Sequence, residues 1–130
     1  MELAVFGATG GTGRQLVAQA LAAGHGVTAL ARDPARVRRP DGAPYAPDAA
    51  ARLRVVAGNV LDPGAVAEVV AGADAVFVAL GTTGGNPPDI VSTGTAVVVD
   101  AMKAAGARRL VVVSSLGVAD SRDAVPWWFR

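Results

Sequence analysis

Residues 7–13, with the sequence Gly-Ala-Thr-Gly-Gly-Thr-Gly, constrain the fold of this chain more than any other segment. They separate a short apolar run at 3–6 from a stretch at 12–23 whose apolar residues recur at helical spacing. Glycine adopts backbone conformations that other residues avoid, so this segment allows a sharp reversal of the chain. The beginning of the sequence therefore predicts a strand, a tight turn and a helix in immediate succession.

The alternation of apolar runs and helical stretches continues along the chain. Further strands are predicted at 27–31, 53–57, 75–80 and 110–113, and further helices at 63–71 and 89–105. Glycines at 24, 72 and 106 indicate helix ends, and Asp62 before Pro63 indicates a helix start. Strands that alternate with helices pair in parallel through right-handed crossovers. The sequence therefore predicts an α/β fold of the Rossmann type, a doubly wound parallel sheet of five strands in the order 3-2-1-4-5.

The connection between the second and third predicted strands is the least regular part of the chain. Residues 32–52 are polar and rich in proline. A short helical turn is expected at 32–37, and Pro40, Pro44 and Pro47 argue against a longer helix. Residues 40–51 are therefore predicted to form an exposed loop.

Composition narrows the classes of function. The 130 residues suit one domain, 1–130, and are 52% hydrophobic and 18% charged, which allows a buried core. The net charge of +1 gives no bias toward nucleic acid or a membrane surface. Without cysteine and with a single histidine, His25, the chain offers no disulfide, thiol nucleophile or metal cluster. No signal peptide or membrane-spanning stretch is visible, so a cytoplasmic protein is expected.

The glycine segment also predicts a ligand. Gly7, Gly10 and Gly13 differ in spacing by one residue from the dinucleotide-binding fingerprint, and they likewise follow a strand and open a helix. Gly10 leaves room for a pyrophosphate, which the helix N-terminus at 11–13 attracts, and Gly13 allows the helix to pack on the sheet. The hydroxyls of Thr9 and Thr12 can add hydrogen bonds. The alternative is a glycine-rich turn without a ligand.

Arg32 decides between the two nicotinamide dinucleotides. NAD-binding sites place an acid at the end of the second strand, where it accepts the ribose hydroxyls. This chain has Arg32 there, and a guanidinium binds a 2′-phosphate instead. NADP(H) is therefore preferred, with NAD(H) as the alternative. Three further arginines at 36, 38 and 39 are expected to be mostly solvated, and Asp33 to pair with Arg36 or to cap the short turn.

Several segments carry a family resemblance: 5–14 (VFGATGGTGR), 28–33 (TALARD), 58–62 (GNVLD), 79–82 (ALGT), 100–106 (DAMKAAG) and 112–115 (VVSS). Together they resemble the atypical short-chain dehydrogenase/reductase group with NmrA-like NAD(P)-binding domains. Within that group the chain is most similar to the flavin reductase (NADPH)/biliverdin-IXβ reductase type. The resemblance covers nearly the whole chain and is specific for the cofactor-binding part.

The resemblance implies roles for residues beyond the glycine turn. Arg32 would contact the adenosine phosphate, and Asn59 and Val60 would lie beside the adenine. Asn59 replaces an acid of the family, which leaves the hydrogen bond to the adenine amino group open. The segment Leu80, Gly81 and Thr82 would pass the ribose and nicotinamide side of the cofactor. Ser115 would face the nicotinamide.

The chain departs from the family in two ways. No Tyr-x-x-x-Lys pair follows Ser115, and the single tyrosine, Tyr45, precedes the third predicted strand. The flavin-reductase-like members also lack this pair. Family members usually run well past this length, so the chain is expected to be the N-terminal part of a longer fold, truncated at its C-terminus. The aromatic segment 127–129 would then offer a surface for self-association.

Two functions agree with these observations. The first is an NADPH-dependent reductase that passes hydride to a flavin, a quinone or a similar planar small molecule. Ser115 would orient this acceptor rather than supply a proton, because serine is a weak acid. The alternative is a non-catalytic NAD(P)-sensing module of the NmrA type, in which cofactor binding changes contact with a partner. An epimerase-like relative would require the missing tyrosine and lysine.

Overall fold

The computed structural model describes residues 1–81 and 89–113 of the chain. Parallel strands alternate with helices on both faces of a sheet. The elements in chain order are β1 (Glu2–Phe6), α1 (Gly11–Ala22), β2 (Gly26–Ala31), a 3₁₀ turn (Pro34–Arg36), α2 (Pro47–Ala50), β3 (Leu53–Ala57), α3 (Pro63–Val70), β4 (Ala75–Val78), α4 (Ile90–Ala105) and β5 (Leu110–Val112).

The sheet confirms the predicted topology. Its five strands lie in the order β3-β2-β1-β4-β5, and every pair is parallel. In the central strand, Val5 lies opposite Ala29 of β2 on one side and Phe77 of β4 on the other. The strand order reverses at β1, so the carboxyl ends of β1, β2 and β4 surround the position where this fold binds ligands.

Two apolar clusters cover the two faces of the sheet. Alternate residues of β1 enter different clusters: Ala4 and Phe6 pack toward α3 and α4, and Leu3 and Val5 pack toward α1. Both faces of the central strand are inaccessible to solvent, because Ala4, Val5 and Phe6 are all completely buried. Burial on both faces explains why the strand sequences are apolar runs rather than alternating patterns.

Local signals at the helix ends match the structure. The Asp62 carboxylate accepts a hydrogen bond from the Gly64 amide at 3.0 Å and so caps α3, and Pro63 occupies its first turn. Gly106 ends α4 in the left-handed conformation, with a φ of 75°. The Asp33 carboxylate accepts from the Ala35 amide at 3.1 Å, so Asp33 caps the 3₁₀ turn, the second of its two expected roles.

The prediction of an exposed loop at 40–51 is wrong in part. Residues Pro47–Ala50 form the short helix α2, and Tyr45 and Ala49 pack against the cluster beneath α1. The proline at 47 starts this helix instead of preventing it, because a first-turn proline loses no hydrogen bond. Burial raises the pKa of Tyr45 above its ordinary value, since the ionised phenol would lose hydration. This segment is therefore anchored to the core.

Smaller differences concern element ends. Strand β4 ends at Val78, two residues before the predicted end at Leu80, and the backbone at 79–81 leaves the sheet beside the glycine turn. The short turn predicted at 32–37 is found at Pro34–Arg36, so it begins two residues later than predicted. The ends of the other predicted helices and strands agree to within one residue. Among the helices in the described part of the chain, none is long and apolar enough to cross a membrane.

Candidate dinucleotide-binding site

The glycine segment forms a tight turn between β1 and α1, and two of its glycines are required for packing. Gly7 has a φ of 90°, and a side chain there would collide with the Ala79 carbonyl. The Gly7 carbonyl accepts a hydrogen bond from the Gly10 amide at 3.2 Å. A Cβ atom on Gly13 would overlap that same carbonyl. The turn can therefore close only if Gly7 and Gly13 lack side chains.

Gly10 and Gly11 have a different environment. Among the described residues, a Cβ on Gly10 would meet only the Gly7 carbonyl oxygen, at 3.7 Å, and a Cβ on Gly11 would meet nothing within 4 Å. Both residues are exposed, and Gly10 is the N-cap of α1 without a side chain to bond the free amides. Free amides and the positive end of the helix dipole attract an anion. The internal packing does not require glycine at these two positions.

A cavity of about 190 Å³ lies beside this turn, at the carboxyl ends of the strands. Its walls are mostly apolar and come from β1, β2, the segment after β3, the segment after β4, and the start of α4. The lining residues are Phe6, Gly7, Thr9, Leu30, Ala31, Arg32, Gly58, Asn59, Val60, Leu61, Leu80 and Ile90. A small apolar slot with a few polar groups at its edge suits a flat heteroaromatic ring.

The structure brings most of the predicted cofactor-binding residues together. Six of them line the cavity: Gly7, Thr9, Arg32, Asn59, Val60 and Leu80. The other glycines of the turn and Thr12 lie at the start of α1, next to it. Gly81 follows Leu80, is exposed and does not line the cavity. Thr82 and Ser115 lie outside the described residues.

The structure distinguishes the four arginines of the segment after β2. The Arg38 Nε atom donates to the Ala35 carbonyl at 2.8 Å, and Arg39 pairs with Asp41 at 3.0 Å. Within residues 1–81 and 89–113, no hydrogen bond or ion pair engages the guanidinium groups of Arg32 and Arg36. Arg32 also lies at the edge of the cavity. These two arginines therefore keep their donors for a ligand.

Asn59 is held by its own loop. Its side-chain oxygen accepts a hydrogen bond from the Leu61 amide at 2.9 Å, and its backbone oxygen accepts from the Asp62 amide at 2.9 Å. Because the oxygen faces an N–H donor, the exposed end of the side chain is the NH₂ group. Asn59 can therefore donate a hydrogen bond at the cavity edge, whereas the acid it replaces in the family could only accept one.

Sequence reasoning assigned no role in the site to six of the lining residues or to Gly94 next to them; the six are Phe6, Leu30, Ala31, Gly58, Leu61 and Ile90. Ile90, at the first turn of α4, is buried and lines the cavity directly. Gly94, one turn later on the same buried face, packs against two of the lining side chains. The signal for Gly94 was a lone glycine inside a helical pattern, which points to a close approach. Its partners depend on the tertiary structure and could not be found in the sequence.

Two other kinds of catalytic group, a metal-binding cluster and a tyrosine–lysine pair, are absent from the described residues. In the part of the chain that the structure describes, no group of histidine and acidic side chains could hold a metal ion. Tyr45 packs beneath α1, and Lys103 is exposed in the last turn of α4. The described residues therefore bring no tyrosine and lysine together as an acid–base pair.

Comparison with known proteins agrees with this fold. The profile of an NAD(P)H-binding protein family matches residues 7–130. The chain belongs to this NAD(P)H-binding family. Solved structures similar to it include Rossmann-fold proteins described as a reductase and as a short-chain dehydrogenase/reductase superfamily protein.

Three relatives show the range of similarity. A Streptomyces 3-diazoavenalumate denitrifying reductase is 39% identical over 126 residues, which is 88% of this chain and 38% of that protein. The anaerobillin reductase ChuY of Escherichia coli O157:H7 is 27% identical, with a TM-score of 0.73 over 98% of this chain and 57% of that one. A Rossmann-fold NAD(P)-binding protein of Shigella flexneri is 26% identical, with a TM-score of 0.70 over 92% of this chain and 54% of that one. The chain thus spans little more than half the length of these solved structures.

Proposed function

We propose that the glycine turn and the adjacent cavity bind NADPH, and that the protein is a reductase that passes hydride to a planar small-molecule acceptor of the flavin or quinone class. The observation that carries the proposal is the position of Arg32, whose guanidinium has no partner among the described residues and lies at the edge of the cavity, next to the turn. The proposal includes a cytoplasmic location, where a reduced nicotinamide cofactor is available.

The residues present fit the adenosine half of the cofactor. The open N-terminus of α1 at Gly10 and Gly11 would receive the pyrophosphate, helped by the Thr9 and Thr12 hydroxyls. Val60 and Leu80 form apolar walls against which a base can stack. Since the exposed end of Asn59 is a donor, we expect it to meet an acceptor nitrogen of the adenine rather than the amino group.

Arg32 would bind the 2′-phosphate, and Arg36 would be the second cation of that subsite. A guanidinium binds phosphate with two parallel hydrogen bonds but offers no acceptor to ribose hydroxyls. Arg38 and Arg39 already have partners in their own segment. This assignment favours NADPH over NADH.

The reaction would depend on positioning more than on acid–base chemistry. The bound nicotinamide supplies the hydride, and the protein's contribution is to hold two flat partners in contact and exclude water. Leu80, Gly81 and Thr82 would lie along the cofactor toward its nicotinamide end, and Ser115 would orient the acceptor. Two of the relatives are named as reductases, which supports a reductase here.

Replacing Arg32 with alanine tests the cofactor preference. We expect the variant to bind NADPH about 10- to 100-fold more weakly, since hydrogen bonds to a charged group contribute roughly 1.5–3 kcal/mol. NADH affinity should change less than about threefold, because NADH has no 2′-phosphate for Arg32 to bind. Titration of both cofactors by calorimetry gives the two affinities.

The matched control is Arg39→Ala, which removes the same charge from the same segment. Arg39 pairs with an exposed aspartate, and such pairs contribute little to stability. Its NADPH affinity should stay within about twofold of wild type. Tighter wild-type binding of NADH than of NADPH, or equal loss of both cofactors in Arg32→Ala, would contradict the assignment of a phosphate subsite.

Turnover distinguishes the reductase from a sensing module. Oxidation of NADPH should be followed at 340 nm with FMN, dichlorophenol-indophenol and simple quinones as acceptors. We expect turnover with at least one acceptor, and Gly10→Val should remove it. The assay should use the gene product including any sequence encoded beyond Arg130. NADPH binding without turnover by any acceptor would favour the NmrA-like alternative, in which the cofactor changes contact with a partner.

A further inference from the structure

Helix α4 packs closely against two cavity-lining side chains at Gly94. A side-chain carbon at this position would lie 2.9 Å from the Leu80 Cδ1 atom and 3.0 and 3.3 Å from the two methyl groups of Val60. Carbon atoms do not approach to 3.0 Å without a shift of one partner. Val60 and Leu80 therefore hold their positions because residue 94 has no side chain.

Gly94 stands behind the cavity rather than in it. Val60 and Leu80 line the cavity with their other sides, and Ile90, one turn earlier on α4, lines it directly. Glycine is less favourable than alanine in a helix interior, so its place in the middle of α4 needs a packing reason. The close contact with two wall residues supplies that reason.

An added methyl group at position 94 would push the wall toward the ligand. Val98 and Met102 on the same face of α4 are buried in the core, which hinders α4 from moving away from the sheet. Val60 is β-branched and stiff, so it cannot easily rotate aside. Val60 and Leu80 both line the cavity, so a displacement of either side chain away from residue 94 can narrow it.

We propose that Gly94 is a positioning residue that sets how far Val60 and Leu80 extend into the cavity, and thereby the size of the base that the site accepts. The inference rests on the proposed binding of an adenine dinucleotide at this cavity. It adds a specificity determinant that does not itself touch the ligand.

The test compares two ligands that differ only in the base, in its size and in the hydrogen-bonding groups at N1 and N6. NADP⁺ carries adenine, and 1,N⁶-etheno-NADP⁺ carries an adenine enlarged by a fused ring. In Gly94→Ala we expect NADP⁺ affinity to fall about fivefold and etheno-NADP⁺ affinity to fall at least about 20-fold, because a narrower slot penalises the larger ring more. The ratio of the two dissociation constants is the readout, since a merely less stable protein would lose both ligands equally.

Two further variants keep the result interpretable. Gly64→Ala makes the same substitution in α3, where the new carbon would lie 3.4 Å from the Asp62 carboxylate, an ordinary contact. It should leave the ratio unchanged. The double variant Gly94→Ala/Val60→Ala removes two of the three methyl groups that the new carbon would meet and leaves only the end of the flexible Leu80 side chain. It should fold even if Gly94→Ala does not, and its ratio should return toward or below that of wild type.

The outcomes distinguish failure of the proposed cofactor binding from failure of the proposed role of Gly94. If wild type binds neither NADP⁺ nor NADPH, the proposed function fails and this inference with it. If wild type binds NADP⁺ but the ratio is the same in wild type and Gly94→Ala, the proposed function stands and the role of Gly94 is rejected. A raised ratio in Gly94→Ala that Val60→Ala reverses supports the role.

Discussion

Replacing Gly10 with valine is expected to abolish NADPH binding without unfolding the protein. Gly10 has an extended backbone, with φ of −79° and ψ of 170°, which valine adopts readily. A Cβ atom there would meet only the Gly7 carbonyl oxygen, at 3.7 Å, among the described residues. The branched side chain would therefore fill the space in front of the α1 amides, where the pyrophosphate is proposed to lie. We expect at least about a 100-fold loss of affinity, or roughly 2.7 kcal/mol.

Calorimetric titration with NADPH and a thermal unfolding curve of each protein provide the measurement. Ala22→Val is the matched control, because it places a valine at the exposed far end of the same helix. That variant should bind NADPH as wild type does. Unchanged affinity in a folded Gly10→Val protein would show that the phosphates do not sit at this turn, and the proposed binding mode would have to be abandoned.

Replacing Gly13 with alanine is expected to affect stability first. The added carbon would overlap the Gly7 carbonyl and lie 2.9 Å from the Ala8 Cα atom, and both neighbours are backbone atoms that cannot rotate away. Helix α1 would have to move off the sheet and loosen the packing of Val17 and Leu21, which are almost completely buried. We expect the free energy of unfolding to fall by about 3 kcal/mol or more.

Urea unfolding followed by circular dichroism measures this loss. Gly10→Ala is the control within the same turn, since its new carbon has space, and it should remain within about 0.5–1 kcal/mol of wild type. Equal stability of Gly13→Ala and wild type would mean that α1 lies further from β1 than the structure has it. The experiments thus distinguish Gly10, which is expected to matter for ligand binding, from Gly13, which is expected to matter for the stability of the fold.

The fold was predictable because its determinants are local. The glycine turn, the Asp62 cap, the left-handed Gly106 and the apolar strand runs each act over a few residues, and all of them agree with one α/β topology. Helix α2 was not predictable from local signals. Four residues with a proline at the first position form a helix only because Tyr45 and Ala49 pack against α1, and that contact joins distant parts of the chain.

The sequence was enough to predict many residues of the candidate site, but not their hydrogen-bond partners or the orientation of their side chains. The sequence pointed to Arg32, but nothing in it could distinguish Arg36 from Arg38 and Arg39. That distinction depends on which carbonyl or carboxylate each guanidinium reaches. The orientation of the Asn59 amide depends in the same way on the Leu61 amide. The contribution of α4 to the cavity wall required the packing of a helix that begins 30 residues after Val60.

The two faces of the sheet differ in their relation to the cavity. The cluster between the sheet and α3 and α4 supplies four buried lining residues, Phe6, Leu30, Val60 and Ile90, and Leu80 packs against it, whereas among the described residues the cluster beneath α1 supplies only Ala31. One half of the hydrophobic core is therefore also the floor of the proposed binding site. A substitution that repacks this half alters the shape offered to a ligand, even when it lies far from any ligand atom. The α1 half can vary in sequence more independently, since among the described residues it reaches the cavity only at Ala31.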